Sequence, residues 1–199
     1  RVIDTVQTIA DLETSPKRKA RYLNTLGQLY RDAEKDPMRA VQFFDLALDT
    51  DPEYLEAFER INKVLTGQKD WKELGRAFRR MLKRIAGKGN DDLEYNLLHS
   101  LGLIYRDRLE DPTTSIEYFK AATSKKPDNV QDLQILSELY ESKELIDEAI
   151  GVQHNILSKD PMRVEPYHAL YRLYQRQYAY DEAWCLSAAL AFLRKADED

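Results

Sequence analysis

The sequence predicts an all-α chain, an α-solenoid of about 11 helices stacked as antiparallel pairs, and three observations carry that reading. Sliding the 199 residues 75 positions against themselves lays residues 23–52 over residues 98–127 with 11 identical pairs in 30 positions. Leu26/Leu101, Gly27/Gly102, Tyr30/Tyr105, Asp36/Asp111, Phe44/Phe119 and Pro52/Pro127 are among them. Within each duplicated half, apolar residues recur at helical spacing, Leu23, Leu26, Leu29 and Tyr30, then Val41, Phe44, Ala47 and Leu48 after a short polar turn. Asp-Pro pairs at 36–37, 51–52, 111–112 and 160–161 read as a repeated helix start, the Asp capping and the Pro at the first helical position.

Taken in order, Val2–Leu12 is helical in pattern, ends near Pro16, and reads as the second helix of a unit cut short. Units at 17–52, 53–88, 92–127, 128–161 and 162–196 follow, in one continuous solenoid domain. Residues 87–92, Gly-Lys-Gly-Asn-Asp-Asp, break the helix between units two and three, with Asp91 or Asp92 expected to cap the next one. That insertion is expected to be a flexible point, the plainer alternative being an ordinary surface loop.

These residues resemble the tetratricopeptide repeat, whose period is about 34 residues. The first unit supplies Leu26, Gly27, Tyr30, Ala40, Phe44, Ala47 and Pro52, the third Leu101, Gly102, Tyr105, Ser115, Phe119, Ala122 and Pro127. In both, the turn between helices carries one extra residue. The second unit is looser, with Phe58, Ile61, Leu65, Leu74, Phe78 and Met81, and puts Asn62 where the small Gly belongs. The fourth offers Leu133, Leu136, Ser137, Tyr140, Ala149 and Ile156; the fifth has bulky Tyr171 at the small position. Gly27 and Gly102 are expected to let helix backbones approach, Ala47 and Ala122 to do so at the next interface, and Tyr30, Phe44, Tyr105 and Phe119 to fill the spaces between. The resemblance implies a right-handed superhelix with the first helix of each pair lining the concave side. Related bacterial arrays occur in secretion, motility, envelope assembly and cytoplasmic regulation.

Composition excludes several classes. Lys and Arg number 30 against 35 Asp and Glu, a net charge of −5, which disfavours nucleic acid as the partner. The single cysteine, Cys185, rules out an intrachain disulfide framework. No apolar run approaches the roughly 20 residues that span a bilayer. The chain starts at Arg1 with no signal-peptide pattern, so it is expected to be a piece of a longer protein, the cytoplasm only slightly favoured as compartment.

Catalytic chemistry is not expected. Cys185, between Trp184 and Leu186, suits a buried or half-buried packing role, and His99, His154 and His168 lie in different units without metal-ligand spacing. Gly87-Lys88-Gly89 lacks the first Gly and the Ser/Thr of a phosphate loop, and the carboxylate pairs Asp91-Asp92 and Asp197 with Asp199 fall at a loop and a terminus. No cofactor or metal is implied.

Binding is the expected function. The resemblance implies that Arg21, Asn24, Gln28 and Arg31 face the concave side in the first unit, Glu56, Glu59 and Lys63 in the second, and Asn96, His99, Leu103 and Arg106 in the third. Gln131, Gln134, Glu138 and Glu141 follow in the fourth unit and Glu165, His168, Arg172 and Gln175 in the fifth. Long polar side chains on such a surface suit an extended peptide or a partner helix. The clamp with which related repeats hold chaperone tails is not reproduced, since Asn24 and Gln28 stand where Lys and Asn are wanted and Glu59 faces the same groove. Arg76, Arg79, Arg80, Lys83, Arg84 and Lys88 form a second candidate, a basic face opposite Leu74, Phe78, Met81 and Ile85 that would draw an anionic partner. The expected function is thus a non-catalytic protein-interaction scaffold. RNA or polyanion binding through residues 76–88, or a recruiting arm of a larger enzyme, are the alternatives; homo-oligomerisation is left open.

Overall fold

The computed structural model describes residues 1–196, and eleven α-helices with no strand make up the described chain. They are α1 (Val2–Leu12), α2 (Pro16–Asp32), α3 (Pro37–Thr50), α4 (Leu55–Gln68), α5 (Trp71–Ile85), α6 (Asp91–Asp107), α7 (Pro112–Lys125), α8 (Val130–Ser142), α9 (Ile146–Lys159), α10 (Val164–Arg176) and α11 (Tyr180–Ala196). Asp197 and Asp199 lie outside the described residues. Two compact units are formed, Arg1–Leu97 and Leu98–Asp199, the division falling inside α6 rather than at the glycine loop.

The Asp-Pro pairs prove to be of two kinds. Asp36 and Asp111 cap as expected, their carboxylates accepting from the Arg39 and Thr114 N–H groups at 3.0 Å, with Pro at the start of α3 and α7. Asp51 and Asp160 instead end α3 and α9 and turn back on themselves, accepting from Glu53 N–H at 3.2 Å and Met162 N–H at 3.3 Å. The next helices start only at Leu55 and Val164, because Pro there continues a turn that the Asp side chain has already closed. At α6 the cap is Asn90, which accepts from Leu93 N–H at 3.1 Å; Asp91 and Asp92 occupy the first turn, where their charge suits the helix dipole.

Each helix pair is joined by a turn containing one left-handed residue, Lys35, Lys69, Glu110, Glu144 and Tyr178, with φ between 53° and 59°. They fall 34, 41, 34 and 34 residues apart, the longer interval holding the 87–92 insertion, where Gly87 and Gly89 also adopt positive φ. The following N–H closes the turn on the first helix, Asp36 to Tyr30 and Asp111 to Tyr105 across six residues, Asp70 to Leu65, Leu145 to Tyr140 and Ala179 to Tyr174 across five. The extra turn residue of the first and third pairs is therefore a feature of the backbone.

Side-chain packing modifies the expected role of glycine. A Cβ on Gly27 would lie 2.6 Å from Phe44 Cδ1, and one on Gly102 2.6 Å from Phe119 Cε2. What approaches each glycine is the buried aromatic ring of the partner helix, not its backbone. Tyr30 and Tyr105 lie outside that space, Tyr30 stacking on Phe43 (5.0 Å between centroids) and Tyr105 packing at a tilt against Tyr118 (5.4 Å). At the equivalent sites the pair changes chemistry: Asn62 is exposed while Phe78 sits edge-on to Phe58, and buried Gln153 donates to buried Ser137 Oγ at 2.9 Å. In the last pair the bulk moves to the first helix, as Tyr171 opposite Ser187.

In the first unit α1 to α5 pack in sequence about Leu26, Phe44, Leu48, Ile61, Leu65 and Met81, none of them exposed. In the second, Ile116, Phe119, Leu136, Leu139, Tyr140, Ile150, Leu170 and Leu173 form one apolar cluster across α7 to α10. No pair could bury its apolar face alone, so each depends on its neighbour.

Candidate functional site

In the first unit the first helices of two pairs, α2 and α4, share a polar network. Asn24 donates to the Tyr54 hydroxyl at 3.2 Å, and that hydroxyl donates to Glu56 at 2.9 Å. Arg60 pairs with the other oxygen of Glu56, and with its amide oriented to match, the Gln28 carbonyl accepts from both Arg60 terminal nitrogens at 2.9 and 2.7 Å. Arg60 first, then the Tyr54 hydroxyl, hold the Glu56 carboxyl below its usual range, while burial pushes the Tyr54 phenol up. Arg21, Glu59 and Lys63 stand exposed on the same two helices.

Asn24 departs from its expected role. It is 4% exposed, tied to Tyr54, and so serves as a joint between pairs rather than as a contact for a ligand. Arg31 is half-buried and held by Asp32 through two hydrogen bonds of 2.7 and 2.8 Å. Tyr54 and Arg60 are the residues the sequence reading misses. Arg60 lies four residues after Glu56, a spacing that brings the two together on one helix face.

In the second unit, His99 Nδ1 lies 2.8 Å from Asp132, whose side chain is fully buried at the start of α8. Its ring stands edge-on to Phe119, with 5.8 Å between centroids. His99 is thus a half-buried bridge from α6 to α8. Leu103 belongs to the rim of the apolar cluster, so it is a packing residue. Arg106 is clamped on Asp107 at 2.6 Å. Gln131, Glu138, Glu165, His168 and Arg172 are exposed, Gln134 half-buried, and Asn96, in the first unit, exposed. His168 borders an open pocket of about 270 Å³ beside Tyr171 and Ser187.

The basic face of α5 is largely neutralised. Arg84, with a side chain only 11% exposed, reaches Asp45 at 2.8 Å and Asp49 at 2.6 Å on α3, and Arg80 pairs with Asp45 and Glu73 at 2.8 and 3.0 Å. Arg76 pairs with Glu73 at 3.2 Å. Arg79 and Lys83 are left exposed without an acidic partner among the described residues. The reading of six clustered cations overlooks α3, where Asp45 stands 35 residues before Arg80 and Asp49 stands 35 residues before Arg84. Cys185, expected to be buried or half-buried, is exposed, as are Trp184 and Phe192 on the same helix.

Among the described residues, no three His, Cys, Asp or Glu side chains group as metal ligands, and no helix is long and apolar enough to cross a membrane.

Residues 95–129, α6 and α7, match the family model described as tetratricopeptide repeat. No curated protein sequence matches the chain. Among solved structures, YrrB, described as a TPR protein with an unusual peptide-binding site, is 19% identical with a TM-score of 0.55, over 88% of this chain and 87% of that one. A MamA protein is 15% identical with a TM-score of 0.56 over 88% and 92%. MamA from Desulfovibrio magneticus RS-1 is 13% identical with a TM-score of 0.53 over 90% and 97%. At these identities the likeness is one of fold.

Proposed function

We propose, from the premise that the chain is a tetratricopeptide-repeat solenoid, that it is a non-catalytic scaffold holding an extended segment or a helix of a partner protein. Repeats of this kind are in general protein-interaction scaffolds, and the binding surface in each unit is the row of polar side chains on the first helices of its pairs. The observation that carries this is the Gln28–Arg60–Glu56–Tyr54–Asn24 network. It fixes long side chains against one another across two repeats, so an incoming chain meets hydrogen-bonding groups whose ordering entropy is already spent. A peptide site on a structure of the same fold, YrrB, supports the same reading. The α5 face offers less, since its arginines are largely engaged by α3 and Glu73.

Site-specific photocrosslinking tests it. A photoreactive residue at Glu59, on the polar row, captures partner protein, and one at Lys83, on α5, does not. Capture from Lys83 with none from Glu59 refutes the surface. Arg60→Ala is expected to weaken binding with helical content unchanged.

A further inference from the structure

Resting on that reading, we infer that the first unit carries a receptor pocket for an acidic side chain of the bound peptide, and that the duplicated pocket of the second unit is built to refuse one. The first pocket, about 630 Å³, opens beside the ends of α2 and α4 and is lined by Arg31, Asp32, Lys35 and Lys63 over Pro37 and Val64. The second, about 360 Å³, is lined by Arg106, Glu110 and Glu138 over Pro112 and Leu139. The two are the same construction 75 positions apart: Arg31/Arg106, Pro37/Pro112 and Val64/Leu139 keep their character. Only the rim inverts, Lys35 becoming Glu110 and Lys63 becoming Glu138.

The placement of these charges is dictated by the backbone. Lys35 and Glu110 are the left-handed residues of their turns, φ 55° and 53°, which aligns them in their respective units. Lys63 lies mid-α4, and among the described residues neither lysine stands in a close ion pair, although Lys35 faces the charge of Asp32, which Arg31 already holds. Arg31 is different: Asp32 holds both its Nε and a terminal nitrogen, so it is oriented and largely compensated. The attraction at the first pocket therefore comes from two ammonium groups outside any close ion pair above an apolar floor, which suits a carboxylate on a short methylene stem. At the second pocket the same stem would meet two carboxylates, and like charges set against each other discriminate strongly.

A selection of random, C-terminally amidated peptides on the whole chain decides it, since only side-chain carboxylates are then offered. Three forms are compared: wild type, Lys35→Glu with Lys63→Glu, and Lys35→Gln with Lys63→Gln. The wild type is expected to enrich Asp or Glu at one peptide position. The best peptide should then bind about tenfold more weakly to the glutamate variant and by an intermediate amount to the glutamine variant. Equal helical circular dichroism in all three verifies the fold, and the glutamine form decides should the glutamate form unfold. Retention of peptides with undiminished acid enrichment in the variants overturns the pocket while leaving the scaffold reading in place. Failure of the wild type to retain any peptide overturns both.

Discussion

Gly102→Ala puts the packing argument at risk most directly. The added methyl would lie 2.6, 2.8 and 2.9 Å from three carbons of the Phe119 ring, about 1 Å inside ordinary carbon contact. The ring has little room to withdraw: it is fully buried and the His99 ring stands edge-on against it. The backbones are also tied, since Ser115 Oγ donates to the Gly102 carbonyl at 2.9 Å. Overpacking of this sort costs about 1–3 kcal/mol, and three close carbons place it at the upper end. Replacing a mid-helix glycine by alanine returns about 1 kcal/mol of helix propensity, leaving a net loss of about 2 kcal/mol. For a chain of this length that is a fall in Tm of about 4–8 °C. Gly151→Ala is the control: it too is helical, but nothing lies within 4 Å of its Cβ position, so Tm should rise by about 2–3 °C. Thermal melts followed at 222 nm read both. Phe119→Leu should relieve Gly102→Ala, the double variant losing at least about 1 kcal/mol less than the sum of the singles. A Gly102→Ala melt that rises with Gly151→Ala would refute the ring-over-glycine account.

Three further outcomes follow from the geometry. Lys69→Gly should raise stability by about 0.5–1 kcal/mol in denaturant titration, because a lysine at φ 57° bears a left-handed cost that glycine escapes. Asp111 is held below the usual carboxylate range by the Thr114 hydroxyl and backbone N–H. A depressed folded-state pKa gives stability that is full above the unfolded value and lost as pH falls through the folded one. Asp111→Asn should therefore be less stable than wild type near neutrality, and the gap should close as pH falls below the usual carboxylate range. Arg84→Ala should cost about 1–3 kcal/mol by removing a mostly buried side chain and its bonds to Asp45 and Asp49, with Asp45 keeping Arg80, while exposed Arg79→Ala should lie within about 0.5 kcal/mol of wild type in the same titration.

Most of the fold is legible in the sequence because its determinants are local and recur. The 75-residue duplication, the Gly–Phe pairs and the apolar spacing each act within one or two helices, and the helix pattern at Val2–Leu12 matches α1. What lies beyond reach depends on side chains meeting between repeats. Nothing around Asn24 announces that Tyr54, 30 residues on, will draw it out of the solvent. The α5 arginines look free until α3 sets Asp45 and Asp49 opposite them. Asp51-Pro52 and Asp36-Pro37 are alike as dipeptides, and only the residue count to the next helix separates turn from cap. The rim charges at 35, 63, 110 and 138 are visible in the same shifted comparison that reveals the duplication, once differences are weighed as well as identities.

The traded bulk between paired helices has an evolutionary corollary. Gly102 takes a ring from its own successor, and Ser137 an amide. A hybrid taking its leading helix from one pair and its trailing helix from another would bring two rings to one niche, or none. Whole pairs can be copied, as the doubling at 75 residues attests, whereas a single exchanged helix would lose the match between glycine and ring.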